Sequence, residues 1–192
     1  MLRSCLALAA PFALIACAGT PDLADYAEAT PTLEMEEFFA GTLTAHGIFQ
    51  DRFGDLRRSF VVDVLGEWDG ETLTLIEDFV YEDGSTEQRI WRLRQTGPES
   101  WTGSADGVIG TAEGEEAGNA FNWRYTIDLP TPDGTLRVSF DDYIWQLDDQ
   151  VAINRAYVYK FGIEIGQLSI SFRRDTPLGT PAPDPTRADP GA

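Results

Sequence analysis

Two charged residues, Glu77 and Arg155, interrupt otherwise apolar faces of the chain. Their neighbours of equal parity are apolar: Leu73, Leu75, Phe79 and Tyr81 around Glu77, and Val151, Ile153, Tyr157 and Tyr159 around Arg155. Side chains of equal parity along a strand point to the same side, so both charges are predicted to point into a core. Because a buried charge must be paired or hydrogen-bonded, the pattern predicts one of two roles. The pair either fixes strand register or anchors the polar end of a ligand.

Other polar and aromatic residues extend this predicted site. Four polar residues in or beside the hairpin of Arg155 are predicted to join its polar network: Asp141, Asp142, Asn154 and Lys160. The chain has five tryptophans, most of which we assign to the core. A subset of aromatic residues, Trp123, Tyr125, Trp145 and Tyr157, is predicted to line a cavity suited to an apolar ligand.

The residue inventory excludes several kinds of active site. His46 is the sole histidine, and its alternation with Ala45 and Gly47 predicts that it faces solvent. No nucleophile elbow, phosphate loop or zinc-ligand spacing occurs in the sequence. We therefore predict no catalytic residue, no metal and no cofactor. The remaining enzymatic alternative uses Glu77 or the Asp141–Asp142 pair as acid and base, since carboxyls with displaced pKa values transfer protons near neutral pH.

The elements that would position these residues are β-hairpins. Alternation with a period of two dominates the chain, and its clearest run places Phe121, Trp123, Tyr125, Ile127 and Leu129 on one face. The turns between such runs carry Asp-Gly, the pair that favours tight hairpins, at 69–70, 83–84 and 133–134.

The strand pattern predicts an all-β fold, an antiparallel up-and-down barrel of about eight to nine strands. Closure is favoured because it removes exposed sheet edges. Residues 33–39 precede the strands and predict a short helical turn. Leu136, Val138 and Phe140 differ in parity from Tyr143 and Trp145, which predicts a β-bulge at Asp141–Asp142.

The ends of the chain indicate export. Residues 1–16 carry Arg3, an apolar stretch and a small residue before Cys17, as in a secretory signal peptide. Leu14–Cys17 matches the lipobox of bacterial lipoproteins, so we predict cleavage before Cys17 and lipid attachment to its sulfur. Residues 17–32 are predicted to be a lipidated tether, 33–174 the barrel domain and 175–192 a disordered proline-rich tail.

Charge and cysteine content limit the partners. Loss of Arg3 with the signal leaves 13 basic side chains against 32 acidic ones, a net charge of −19. Such a surface repels nucleic acid and anionic headgroups, so membrane attachment is predicted to depend on the lipid at Cys17. The mature chain has no thiol left for a disulfide or for catalysis. Ala18 after the cysteine indicates the outer membrane, with the domain facing the periplasm.

An ordered set of motifs across residues 33–174 resembles a known bacterial lipoprotein family, domain of unknown function 3833. The motifs are Phe38-Phe39-x-Gly41, Gly47-x-Phe49-x-Asp51-Arg52-x-Gly54, Trp68-Asp69-Gly70, Gly118-Asn119-Ala120, Phe140-Asp141-Asp142, Asn154-Arg155-Ala156 and Lys160-Phe161-Gly162. The resemblance implies a calycin-like, lipocalin-like barrel, and a gene that lies near those of enzymes that modify membrane lipids or fatty acids. It implies no activity.

Three functions are compatible with these patterns. The first is an envelope lipoprotein whose barrel binds a small apolar molecule such as an acyl chain, without enzymatic activity. The second is a structural or partner-binding module with a filled barrel. The third, least supported, is a carboxylate-based barrel enzyme acting on lipids.

Replacing Cys17 tests the predicted anchor. In Cys17→Ser the hydroxyl cannot accept the thioether-linked lipid, so labelled palmitate should not be incorporated and the protein should leave the membrane fraction. Cys5→Ser, within the predicted signal, is the control and should leave labelling unchanged. Equal labelling of both variants would exclude Cys17 as the acylation site.

Overall fold

The computed structural model describes residues 20–131, 134–176 and 178. The predicted signal peptide, Cys17, most of the predicted tail and the turn residues 132–133 lie outside the described residues. Among the described helices, none has the length and apolar character needed to cross a bilayer.

Ten antiparallel strands form a closed barrel after two short helical segments. A 3₁₀ turn, Leu23–Tyr26, and a one-turn helix α1, Met35–Phe38, come first. The strands are β1 Gly41–Asp51, β2 Leu56–Trp68, β3 Thr72–Tyr81, β4 Thr86–Gln95, β5 Ser100–Ser104, β6 Ala112–Ala117, β7 Ala120–Thr131, β8 Gly134–Gln146, β9 Val151–Lys160 and β10 Ile163–Arg174. Each strand pairs with its neighbours in sequence, and β1 pairs with β10 to close the barrel.

The barrel and the helical turn are as predicted, but the predicted strand count of eight to nine is wrong. The short strands β5 and β6 have few large apolar side chains, so alternation is weak there. Glycines on their inner faces make room for an aromatic ring. A Cβ atom on Gly103 would lie 2.9 Å from the Trp123 side chain, and one on Gly114 would lie 2.5 Å from it.

One end of the barrel, here called the closed end, is covered by α1. Met35, Phe38 and Phe39 are buried there against the barrel core. Arg174 at the end of β10 donates to the carbonyl oxygens of Glu37 at 3.0 Å and Ala40 at 2.8 Å, and also to that of Phe38. These bonds satisfy carbonyls that a one-turn helix leaves without partners.

The first half-turn of α1 is held by Glu116 on β6. Its Oε1 accepts a hydrogen bond of 2.7 Å from the backbone N–H of Met35. Burial is the main cause that raises the pKa of Glu116 to about 7. The buried carboxyl of Glu116 therefore has a structural role at the closed end, where it binds the Met35 N–H.

The described part of the predicted tether packs against the outside of the barrel. Tyr26 contacts Trp145 with a centroid separation of 5.8 Å, and Tyr143 Oη donates to the Pro21 carbonyl at 2.8 Å. Leu33 N–H donates to the Gly118 carbonyl at 2.8 Å. Two aromatic residues on the outer face of β8 are thus covered by residues 20–33.

This covering explains why the predicted β-bulge at Asp141–Asp142 is wrong. The pairing of β8 with β7 and with β9 continues through both aspartates without a register shift. The inner face of β8 carries Val138, Phe140, Asp142 and Ile144, whereas Tyr143 lies on the outer face. The apolar residues of β8 change parity because both faces of the strand are buried there. The inner face lines the barrel core, and the segment before α1 covers the outer face.

Arg174→Ala tests the helix cap. Loss of its hydrogen bonds to the carbonyls that end α1 should lower the free energy of unfolding by about 2 kcal/mol, measured by denaturant titration of the chain from residue 20 onward. That fragment contains every described element of the closed barrel. Arg173→Ala, at an exposed neighbouring position, is the control and should change stability by less than about 0.5 kcal/mol. Equal losses in both variants would contradict the capping role.

Candidate functional site: an acidic cavity inside the barrel

The barrel encloses a cavity of about 120 Å³ between α1 and the opposite end. Aromatic rings form most of its walls: Phe39, Phe60, Phe79, Trp91, Phe121, Trp123, Tyr125, Phe140 and Phe172. Trp91 contacts Tyr125 edge to face at 4.9 Å, and Tyr125 stacks on Phe140 at 4.9 Å between centroids. The cavity is smaller than the 300–1,000 Å³ usual for drug-sized ligands, so it suits a small group.

Two carboxyl side chains, Glu77 from β3 and Asp142 from β8, line this cavity. Asp142 Oδ1 is buried, and no group in the described part of the chain donates a hydrogen bond to it. Asp142 thus differs from Glu116, whose carboxylate accepts a bond from the backbone. An unbonded buried carboxylate oxygen is costly to desolvate.

A single guanidinium, that of Arg89 on β4, lines the same cavity. Arg89 lies directly opposite Glu77 in the β3–β4 register. Its Nη2 donates at 2.6 Å to Glu87, a third carboxylate, which also accepts from Tyr81 Oη at 2.9 Å. The positive charge of Arg89 is therefore engaged by Glu87, which leaves Glu77 and Asp142 without a cation of their own in the cavity.

Burial raises the pKa of both cavity carboxyls. Desolvation raises the pKa of Glu77 to about 7, with Arg89 opposing the shift and Glu87 adding to it. Desolvation also raises the pKa of Asp142 well above its usual value, and the charges of Asp141 and Glu77 raise it further. The Tyr125 hydroxyl has its pKa raised by the same burial. The site therefore holds protons near neutral pH that a positively charged group would displace.

The structure separates the sequence-predicted residues into two groups. Glu77, Asp142, Asn154, Trp123 and Tyr125 line the cavity. The others do not: Arg155, Asp141, Lys160, Trp145 and Tyr157.

The prediction that Arg155 points inward is wrong. Arg155 is exposed, and the inner face of β9 carries Ala152, Asn154, Ala156 and Val158. Two of these inner residues of β9 are alanines, because large rings from other strands fill the barrel interior next to them. The outer face of β9 is the more apolar one by sequence, so parity alone assigned the faces in reverse.

Three further residues lie outside the cavity for identifiable reasons. Asp141 belongs to the outer face of β8 and accepts a 2.8 Å hydrogen bond from Asn122. Trp145 stacks on Tyr143 beneath the segment before α1. Lys160 ends β9 and lies against the ring of Phe161.

Sequence reasoning missed Arg89, the cation that faces Glu77. The signal was available, because Arg89 shares the parity of Trp91 and Leu93, both of which are buried. The alternation rule that identified Glu77 would also have identified Arg89. In the described part of the chain, no cluster of three potential ligands is placed to hold a metal ion.

One protein family and two solved structures are similar to this chain. A family model described as "Protein of unknown function (DUF3833)" matches residues 11–174. No curated protein sequence matches significantly. Among solved structures, the S-type phycobiliprotein lyase CPES from Guillardia theta is similar with a TM-score of 0.55 at 9% identity, over 73% of this chain and 90% of that one. The structure of EF1p2_mFAP2b bound to DFHBI is similar with a TM-score of 0.41 at 10% identity, over 73% of this chain and 99% of that one.

Glu77→Gln tests the burial of the cavity carboxyl. A carboxyl whose pKa is higher in the folded than in the unfolded state opposes folding once it must ionise. Stability is therefore lost as pH rises from about 4.5 to about 7. Relative to the unmodified chain, Glu77→Gln should gain on the order of 3 kcal/mol between pH 4 and pH 8. Asp63→Asn, on the exposed outer face of β2, should show no such gain. A difference independent of pH for Glu77→Gln would contradict the buried position.

Proposed function

This chain belongs to the family described as protein of unknown function DUF3833, and from that premise we propose that its barrel binds a small, mainly apolar molecule. The polar end of this molecule donates hydrogen bonds or carries positive charge. The barrel acts as a binding protein and carries out no reaction. The observation that carries the proposal is Asp142 Oδ1, a buried acceptor without a protein donor in the described residues, in an aromatic-walled cavity.

The charge of the cavity selects the polar end of the ligand. With Arg89 engaged by Glu87, a free fatty-acid carboxylate would meet Glu77 and Asp142 without a free cation. An ammonium group, by contrast, would pair with these carboxylates while aromatic faces stabilise it by cation–π attraction. An acyl chain bearing an amine, amide or hydroxyl group therefore fits the site better than a free fatty acid.

The size of the cavity limits how much of the ligand it encloses. About 120 Å³ accommodates a head group and its first carbons, so a longer chain needs neighbouring rings to move aside. Phe60 and Phe79, 5.6 Å apart between centroids, line the cavity towards the end opposite α1. We place the apolar part of the ligand along these residues.

The proposed setting is the cell envelope. Lipid on Cys17 would hold the barrel on the outer membrane facing the periplasm, where apolar molecules with polar ends are available from the bilayer. This part of the proposal rests on the lipobox and the signal sequence.

The filled-barrel alternative draws on the small cavity volume and the dense aromatic packing around it. In that case Glu77 and Arg89 would serve only to fix the register of β3 against β4. A carboxylate enzyme would instead use Glu77 and Asp142, whose pKa values burial raises, as acid and base for proton transfer.

Binding of short amphiphiles separates these functions. Octylammonium and octanoate, below their micelle-forming concentrations at pH 8, are titrated into the chain from residue 20 onward. Tryptophan fluorescence is the readout, since Trp91 and Trp123 line the cavity. Octylammonium should bind at least about ten-fold more tightly than octanoate, which corresponds to about 1.4 kcal/mol.

Two aspartates that are adjacent in sequence give a matched pair of variants. Asp142→Asn removes the inward carboxylate and should lose most of the preference for octylammonium. Asp141→Asn keeps that carboxylate and removes a neighbouring charge that raises its pKa, so it should keep the preference. Failure of both amphiphiles to bind would favour the filled barrel. Tighter binding of octanoate would overturn the proposed charge selection.

A further inference from the structure

Exposed apolar side chains cluster at the end of the barrel opposite α1, here called the open end. Phe161 is 94% exposed and Phe53 is 76% exposed, values rare for residues of this size in a folded domain. Leu56 and Ile163 add exposures of 61% and 59%. We call these four residues the apolar rim.

The four residues lie on adjacent turns. Phe53 lies in the β1–β2 connection and Leu56 begins β2, whereas Phe161 lies in the β9–β10 turn and Ile163 begins β10. Strands β1 and β10 are paired, and the Arg52 N–H donates to the Ile165 carbonyl at 3.0 Å. The closing seam of the barrel therefore brings the two turns together at one side of the open end.

The conformation of Phe161 identifies it as more than a turn residue. It occupies a two-residue turn between paired residues Lys160 and Ile163, with φ values of 52° at Phe161 and 77° at Gly162. Asn-Gly suits such a turn, whereas a bulky side chain at positive φ is strained. A strained and fully exposed aromatic ring contributes nothing to folding that an asparagine would not, so its contribution lies outside the fold.

A cation accompanies each exposed ring. The guanidinium carbon of Arg52 lies 4.8 Å from the Phe53 centroid, and Lys160 Nζ lies 5.6 Å from the Phe161 centroid. In the residues that the structure describes, neither Arg52 nor Lys160 forms an ion pair with a carboxylate. Both cations remain available for an anionic group next to the rings.

From these observations we infer that the apolar rim inserts into the surface of a lipid bilayer. Exposed rings at turn tips enter the interfacial region, while adjacent Arg and Lys side chains reach the phosphates of the headgroups. Four side chains at turn tips offer far less area than the roughly 1,200 Å² of a stable protein interface, which disfavours a second copy of the chain as the occupant. The inference does not depend on the proposed ligand, although it would bring the open end to the source of apolar molecules.

The net charge of the chain sets the expected lipid dependence. With a charge of −19 once Arg3 is absent, the chain from residue 20 onward is repelled by anionic membranes, so the interaction must come from insertion and local phosphate contacts. Vesicles of zwitterionic phosphatidylcholine should therefore bind the chain from residue 20 onward, and addition of phosphatidylglycerol should weaken the binding.

Phe161→Asn provides the decisive variant, because it changes folding and membrane binding in opposite directions. The resulting Asn-Gly turn should leave the melting temperature unchanged or raised, while co-sedimentation with phosphatidylcholine vesicles falls by several-fold. Phe53→Ser with Phe161→Asn should reduce the partition coefficient by about ten-fold or more, consistent with the loss of two inserted rings. Leu147→Asn, which replaces a 55% exposed apolar residue at the closed end, is the matched control and should have no effect.

Each other outcome counts against the inference. Vesicle binding that is absent, or that survives the double substitution, would overturn it. So would an equal loss in Leu147→Asn. If the unmodified chain instead formed dimers that Phe161→Asn dissolved, with no change in vesicle binding, the rim would be a protein interface and the bilayer assignment would be wrong.

Discussion

The structure depends on the cost of keeping carboxyl groups inside a closed, aromatic-walled barrel. Glu77 and Asp142 face the interior with one guanidinium nearby, and that guanidinium is hydrogen-bonded to Glu87. Removing charge from water costs free energy that only pairing, hydrogen bonds or protonation recover. The raised pKa values show that protonation supplies part of the recovery. A ligand with a donor or a positive charge would supply the rest, which links the cost of burying these carboxyls to the proposed use of the site.

The positions of these carboxyls follow from how the barrel is filled. Closure leaves no free sheet edge, so every strand contributes alternate side chains to one shared interior. The interior combines large rings on β4, β7 and β8 with small residues on the neighbouring strands β5, β6 and β9, such as Gly103, Gly114 and Ala156. Helix α1 and Arg174 cover the closed end of the barrel. The cavity lies inside the barrel beneath them, and the exposed turns lie at the opposite, open end.

Much of this fold could be predicted from alternation and turn composition, because both act locally. The barrel and the inward position of Glu77 needed only the period of two, and the helical turn before β1 needed only the composition of residues 33–39. The errors occurred where burial depends on distant parts of the chain. Tyr143 and Trp145 are covered from outside by residues 20–33, so their apolar pattern was wrongly interpreted as a β-bulge. The inner residues of β9 are small and its outer residues are more apolar, so Arg155 was wrongly assigned to the inner face. No local pattern specifies either effect, and the short strands β5 and β6 carried too few large apolar residues to be counted.

The most direct test of the account is an NMR titration of the Glu77 carboxyl in the chain from residue 20 onward, with and without octylammonium. Burial in the cavity predicts a pKa of about 7 without the amphiphile, and a lower pKa when the ammonium group pairs with the cavity carboxylates. A Glu77 pKa near its ordinary value of about 4.5, or one that octylammonium leaves unchanged, would contradict the claim that buried negative charge selects the ligand.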